Sequence, residues 1–208
     1  MRIIVNRRLS SILLACLLLA GCAGGKSSQS TTLFDFGSAA PAAAMADPPQ
    51  APLPALVVTD ATGSAALDSE RMFYRLNYAD ALQARSYANS RWSTSPLQMV
   101  TQRLKSRLAQ AGVKVLSPSD APVGVPILRV EVDDFIHAFA SPAQSEGQLV
   151  LRASLFYGHA LLDQRTFSHV TAAPTLDAAG GARALAASTD AAASGIVAWL
   201  GGLNLNTR

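Results

Sequence analysis

The chain has 208 residues, enough for one folded domain, and 50% of them are hydrophobic although only 6% are aromatic. Its formal net charge of +3 comes from three arginines that precede the first apolar run. Without them the basic and acidic residues are equal in number. No cluster of Lys and Arg then remains that could neutralise phosphates, so the composition argues against nucleic-acid binding.

The N-terminus has the pattern of a secretory signal peptide. A basic segment precedes an apolar run over 12–20, and these nine residues are too few for a helix to span a bilayer, which takes roughly 20. The sequence Leu-Ala-Gly-Cys over 19–22 then resembles the bacterial lipobox. We therefore predict that residues 1–21 are removed and that Cys22 becomes an N-palmitoylated, S-diacylglycerol-modified N-terminus that anchors the protein to a membrane.

Cysteine usage and the residue after the lipobox add to this prediction. Cys16 leaves with the signal peptide, so the mature chain has no thiol besides that of Cys22, and no disulfide is expected. Ala23, and not Asp, follows the modified residue. By the sorting rule of Gram-negative lipoproteins, this favours the outer membrane, with the domain facing the periplasm.

Residues 22–54 are predicted to connect the lipid to the folded domain. The stretch 23–32 is rich in Gly, Ser, Thr and Gln, which is typical of a flexible tether, and 38–54 is dominated by Ala and Pro. Between them, a short apolar segment near 33–37 ends in glycine and predicts an edge strand. The domain itself is predicted to cover 55–208.

Within that domain, the hydrophobic periodicity predicts strands, a helix, further strands and a final helix. The predicted strands cover 55–60, 71–78, 82–88, 113–116, 127–139, 148–162 and 165–171. The final helix is rich in alanine and is predicted from about Leu176. Gly180 and Gly181 are expected to delay its start, because glycine costs about 1 kcal/mol relative to alanine inside a helix.

The clearest predicted element is the helix over 95–111. Ser95 is a typical N-cap residue, and Gly112 follows the last helical position. Apolar residues recur at helical spacing and form one stripe, which is expected to face the core. Arg103 and Arg107 lie off this stripe.

The two long strands are predicted to be antiparallel neighbours joined by a loop over 141–146. A register that places Leu151 opposite Ile136 puts the apolar residues of both strands on one face. Asp134 interrupts that face, and the pattern gives no reason for it. The other face carries His137 and several charged residues, and it is expected to be solvated.

These elements together predict an α+β fold, or an α/β fold in the broader sense. We expect a single mixed, largely antiparallel sheet with two main helices packed on one face. This arrangement buries the apolar stripe of each helix and one face of the sheet in a shared core.

Residues 71–108 resemble the ABC-type transport auxiliary lipoproteins, a family that includes the paraquat-inducible protein C-like lipoproteins. The likeness lies in Met72-Phe73-Tyr74-Arg75, Tyr87-Ala88, Arg91-Trp92 and Pro96-Leu97-Gln98-Met99-Val100. The segment 33–37 is similar to the family's opening Tyr-Asp-Leu-Gly element, with Phe34 and Phe36 in place of commoner residues.

The resemblance implies a non-enzymatic component of an intermembrane lipid-transport system, with no cofactor. Its expected partners are an inner-membrane ABC permease and a periplasmic protein of the mammalian-cell-entry type. The lipoprotein is expected to hold the outer-membrane end, and to do so as a homo-oligomer. An alternative is a lipoprotein that itself binds a small apolar ligand or lipid in a pocket between sheet and helices.

Arg91 and Trp92 are the residues considered for partner binding, because Arg and Trp are enriched at interface hot spots. The competing interpretation, which we favour, is that Trp92 packs beneath the helix that starts at Ser95, since large aromatic side chains are mostly buried.

Neither a metal site nor a catalytic site is predicted. His137, His159 and His169 are the only histidines, and their spacing on the predicted strands does not bring them together as three or four zinc ligands. The Gly-x-Ser-x-Gly motif of serine hydrolases does not occur in the sequence. A secreted hydrolase is therefore the weakest of the alternatives.

Overall fold

The computed structural model describes residues 30–38, 55–119 and 122–203. Within these ranges the chain forms nine strands and two helices. In chain order they are β1 (Thr32–Phe34), β2 (Leu56–Val58), β3 (Thr62–Gly63), β4 (Arg71–Leu76), β5 (Ala84–Trp92), α1 (Pro96–Gln110), β6 (Val115–Leu116), β7 (Ile127–Ser141), β8 (Gln144–Tyr157), β9 (Ala160–Ala172) and α2 (Ala178–Gly201). The predicted signal peptide, Cys22 and most of the Ala/Pro-rich linker lie outside the described residues.

The sheet is organised around β7. One side of this strand pairs antiparallel with β8 along most of its length, and β9 continues the antiparallel order. The other side pairs in parallel with β2, β3 and β4 in turn. Beyond them, β5 pairs antiparallel with β4, while β1 lies parallel to β5 and β6 parallel to β2. With α1 and α2 packed against this mixed sheet, the predicted fold class is confirmed.

The core lies between the sheet and the helices, and the sequence predicts the ends of α1 well. The Oγ of Ser95 accepts a hydrogen bond from the Gln98 N–H at 3.4 Å, and Gly112 follows the helix with φ at +88°. The predicted apolar stripe is buried, and it includes Leu104 and Leu108. The helix therefore begins and ends where its caps indicate.

The predicted register of the long hairpin is wrong. The chain turns at Pro142 and Ala143, inside the predicted loop, and Leu151 lies opposite Val132 instead of Ile136. The register also shifts between Val132 and Asp134. This bulge places an extra residue in β7 and reverses which side chains face the helices beyond it.

The bulge explains the position of Asp134, which the sequence pattern left open, and it changes the expected position of His137. Val132 before the bulge and Phe135 after it are both buried core residues. Asp134 lies between them, opposite Val150, and its Oδ2 is 3.8 Å from Nη1 of Arg75. His137 follows the same alternation as Phe135 and is fully buried. The expectation that His137 lies on a solvated face is therefore also wrong.

The turn after β8 is likewise displaced from its predicted position. The chain reverses at Gly158, whose φ of +58° suits a residue without a side chain, and β9 begins at Ala160. The strands predicted over 148–162 and 165–171 placed the turn at 163–164, but Asp163 lies within β9. Its carboxylate accepts the indole N–H of Trp199 at 2.8 Å, which lowers the pKa of the Asp163 carboxyl and joins α2 to β9.

The paired glycines do not delay the start of α2. Asp177 is the N-cap and accepts the Gly180 N–H at 2.8 Å, so both glycines lie inside the helix. A Cβ on Gly181 would lie 2.4 Å from the Nδ1 of His137. On the sheet side, a Cβ on Gly147 would lie 2.5 Å from the backbone nitrogen of Leu185. Glycine is needed at both places because the helix and the sheet approach each other so closely.

We predict that Gly147→Ala destabilises the domain by about 2 kcal/mol or more, since the added methyl group meets backbone and cannot be relieved by a side-chain rotation. Chemical unfolding of the purified protein measures this change. The matched control is Gly202→Ala, where the nearest atom lies 3.5 Å from the added Cβ and little change is expected. Equal effects of the two substitutions would contradict the close approach of α2 to β8.

Candidate functional site

The candidate site is the short stretch that follows the predicted tether. We call residues 32–37 the junction segment. Its first part, β1, is an edge strand that covers 32–34, whereas the sequence placed a strand near 33–37, and it pairs in parallel with Ser90, Arg91 and Trp92 of β5. At the end of β1, the carbonyl of Phe34 accepts the N–H of Ser93, the residue after β5, at 2.8 Å. The junction segment is therefore part of the sheet and does not merely precede it.

Phe36 connects the junction segment to the core. Its ring centroid lies 6.0 Å from those of both Trp92 and Phe135. Its carbonyl accepts a hydrogen bond from the Arg103 guanidinium, which also lies over the Phe36 ring at 5.7 Å. Aromatic packing and a charged donor thus hold the same residue from two directions.

The two residues considered for partner binding lie in different environments. Trp92 is 1% exposed, so it is buried as in the interpretation we favoured, but its ring contacts are with Phe36 of the junction segment and Phe135 of β7. A partner at the surface cannot reach this ring in the observed conformation. Arg91 is exposed, so a role for it in partner binding stays a prediction.

An ion cluster beside the junction segment joins the two helices. Arg107 of α1 donates from Nη2 and Nε to the carboxylate of Asp190 in α2, at 2.6 and 2.8 Å. Arg103 lies with Nε 3.3 Å from the same carboxylate. The hydrogen bonds that Arg107 donates to Asp190 raise the pKa of Arg107 above its ordinary value. Because Arg103 also donates to Phe36, α1, α2 and the junction segment share one cluster.

Sequence reasoning missed this cluster. Arg103 and Arg107 lie off the apolar stripe of α1, and a basic residue in that position is usually solvated. The only available signal is that one acidic residue, Asp190, stands in an otherwise Ala-rich stretch of α2. Its pairing with α1 depends on the tertiary arrangement, which no local pattern encodes.

Two open clefts of about 300 Å³ each flank the junction segment. The cleft towards α1 is partly polar and includes Arg103 and Ser106. The cleft towards α2 is more apolar, with Phe34 and Phe36 facing alanines of the helix and Arg183 beside them. Both clefts could bind an extended chain or a small apolar group, and neither presents a nucleophile paired with a base.

A buried polar pair lies where the N-terminal end of α2 meets the sheet. The Tyr87 hydroxyl is 2.8 Å from the Nδ1 of His137. Burial raises the pKa of Tyr87 and lowers the pKa of His137 to about 4. Both groups are therefore uncharged at neutral pH, and the tautomer of the imidazole decides which of them donates. The Nε2 of His137 has no hydrogen-bond partner among the described residues. Neither of the two clefts includes the pair.

The other two histidines lie apart from this pair. His159 is in the β8–β9 turn, and His169 is on β9 opposite Leu149. Over 30–38, 55–119 and 122–203, no group of three or more His, Cys, Asp or Glu side chains is placed to hold a metal ion. In the same ranges, neither helix has the combination of length and hydropathy needed to cross a membrane.

Comparisons with known proteins agree with this architecture. The sequence model of the family described as the ABC-type transport auxiliary lipoprotein component matches residues 36–197. No curated protein matches the sequence. Among solved structures, a DUF330-family protein from Xanthomonas campestris is 19% identical, with 74% of this chain and 88% of that chain covered and a TM-score of 0.63. An uncharacterized protein is 14% identical, with 82% and 99% covered and a TM-score of 0.60. At these identities the two structures show a shared fold.

We predict that Phe36→Ala lowers the free energy of unfolding by about 2 kcal/mol, less than the loss for a fully buried phenylalanine because Phe36 is half-buried. Urea unfolding of the domain carrying residues 30–208 measures this change. Leu33→Ala is the control, because Leu33 is exposed and belongs to the same segment. A loss at Leu33 as large as that at Phe36 would mean that the Phe36 ring is not what fixes the segment.

We also predict that stability falls as the pH is lowered from about 7 to about 4.5. The unfolded chain protonates His137 near the ordinary histidine pKa of 6.5, whereas burial lowers the pKa in the folded chain to about 4. In this window the unfolded state binds more protons, so acid favours unfolding. His137→Gln should reduce the slope of stability against pH, and His159→Gln should leave it unchanged; identical slopes in all three proteins would rule out the buried neutral imidazole.

Proposed function

Because the chain belongs to the family of ABC-type transport auxiliary lipoprotein components, we propose that it is a lipid-anchored, non-enzymatic subunit of an ABC transport system that moves lipid between two membranes. Cys22 carries the acyl chains and holds the domain at the periplasmic side of the outer membrane. Its partners in this proposal are a mammalian-cell-entry-type periplasmic protein and the ABC permease. The family description supports a role in transport and the lipidation. The movement of lipid, the outer-membrane location and the mammalian-cell-entry-type partner are our proposal.

The observation that carries the proposal is the way the junction segment is built into the domain. Ten positions separate Cys22 from Thr32, so a lipid on Cys22 keeps β1 within about 35 Å of the membrane even when the intervening chain is fully extended. From Thr32 onwards the chain is paired with β5, and Phe36 is packed in the core. Anchoring the lipid therefore anchors the whole folded domain.

The physical role of such an anchor is to confine the domain to the surface of one membrane. Two or three acyl chains bind a bilayer stably, because each buried CH₂ group contributes about 0.8 kcal/mol. Confinement to one membrane raises the effective concentration of the domain for a partner that reaches the same membrane. This suits a component that receives the end of a periplasmic conduit and has no chemistry of its own to perform.

A second candidate function is direct binding of a lipid or other small apolar ligand. The apolar cleft between the junction segment and α2 favours it, with Arg183 available to an anionic group. Against it stands the size of that cleft, since about 300 Å³ is at the lower end of the range for ligand pockets and the cleft is open. Native mass spectrometry of the domain would show a stoichiometric lipid if this second function were correct.

The experiment that tests the proposed function is affinity purification of the tagged lipoprotein from its native membranes after mild cross-linking. We expect the wild-type protein to recover a mammalian-cell-entry-type protein and an ABC permease. We expect the Cys22→Ser variant to be released into the periplasm. An unrelated outer-membrane lipoprotein with the same tag is the control for the bilayer itself. Equal recovery of both partners with that control, or none with the wild type, would contradict the proposed adaptor role.

A further inference from the structure

The register of β1 fixes the direction from which the anchored chain enters the domain. Because β1 is parallel to β5, the start of β1 at Thr32 points towards the end of the sheet where β5 begins, at Ala84. Three connecting segments meet at this same end. Leu76 lies beside Phe139 near the end of β7, and the Ala173 N–H donates to the Ser145 carbonyl at 2.8 Å. We call residues 77–83, 142–143 and 173–177, which form this end, the entry rim.

The entry rim exposes apolar side chains. Leu82 is 96% exposed, and Tyr78 and Leu176 are about half exposed, at 48% and 49%. Pro142 is also exposed, at the tip of the β7–β8 hairpin. A tyrosine together with exposed aliphatic side chains is the composition typical of protein surfaces that meet the interface of a bilayer.

The charges at the entry rim are few and already engaged. The three segments contain no Lys or Arg, and their acidic residues are Asp80 and Asp177. The Asp80 carboxylate accepts the Leu82 N–H at 2.9 Å, and that of Asp177 accepts the Gly180 N–H at 2.8 Å. Both carboxylates therefore act as local caps. An attraction between this rim and a bilayer would come from apolar contact and not from charge.

We propose that the entry rim rests on the surface of the bilayer that holds the lipid anchor. This inference relies on the lipidation of Cys22 that we proposed above. For the flexible tether that the sequence predicts over 23–32, an r.m.s. length of roughly 16–19 Å is expected. The length of β5 between Ala84 and Ser90 is on the order of 20 Å at strand spacing. The tether is therefore short enough to keep the entry rim near the membrane and long enough to let the entry rim contact the bilayer surface.

The opposite end of the sheet then faces the periplasm. Val123 lies in the connection before β7, at that end, and its side chain is as fully exposed as that of Leu82. A docked orientation would leave this end open to a periplasmic partner. Val123 and Leu82 are therefore a matched pair of positions. Their side chains are equally exposed, and in our proposal Leu82 faces the membrane whereas Val123 faces the periplasm.

The test uses the full mature lipoprotein in phosphatidylcholine vesicles that contain a nitroxide-labelled lipid. The thiol of Cys22 is blocked when lipidated, so Leu82→Cys, Leu176→Cys and Val123→Cys each add one reactive thiol for an environment-sensitive fluorophore. We expect the labels at 82 and 176 to lose about half or more of their fluorescence to the nitroxide, and the label at 123 to be unaffected. The quenching should not change with salt, because the rim has no basic residue.

Each outcome decides between the two proposals. If intact mass shows no acyl groups on Cys22 and the protein does not bind vesicles, both the anchoring and the rim contact are wrong. If the protein is lipidated and vesicle-bound but the labels at 82 and 176 are quenched no more than that at 123, only the rim contact is wrong. A blue-shifted emission at 82 without quenching by the labelled lipid would indicate contact with a second protein molecule and would also overturn the inference.

Discussion

The packing of Phe36 against Trp92 and Phe135 is the interaction on which the rest of the structure depends. It brings together the junction segment, β5 and β7, and the Arg103 guanidinium adds α1 to the same contact. Through Asp190, Arg103 also reaches α2. Elements distant in the sequence thus meet at one half-buried ring. Because the N-terminal segment completes the core, a force applied to the domain through that segment also acts on the core.

The second constraint is the close approach of α2 to the sheet. Gly147 and Gly181 leave no room for a side chain between them and their neighbours, and the Ser188 hydroxyl donates to the Gly147 carbonyl at 2.9 Å. A helix held at this distance fixes the position of Asp190, and so the position of Arg103. The geometry at the junction segment therefore depends in part on these two glycines.

Much of the fold could be predicted from the sequence, because the signals for it are local. The caps of α1, its apolar stripe and the edge strand near 33–37 each depend on a few neighbouring residues. The register of β7 and β8 could not be predicted, since one extra residue beside Asp134 reverses the alternation and nothing in the pattern marks it. The prediction that His137 lies on a solvated face was wrong for the same reason. The roles of Gly181 and Asp190 depend on distant partners. The local context of Gly181 suggested only a delayed start of the helix, and that of Asp190 gave no prediction.

The central claim is that the junction segment is part of the cooperative fold and so transmits the position of the anchor to the domain. Native-state hydrogen exchange at the Ser93 amide tests it most directly, because this amide donates to the carbonyl of Phe34 and is protected only while the segment is in place. We predict that it exchanges with an opening free energy close to that of the amides in the middle of β7 and β8. Rapid exchange at Ser93 while those amides stay protected would show that the segment detaches on its own, and would contradict the account.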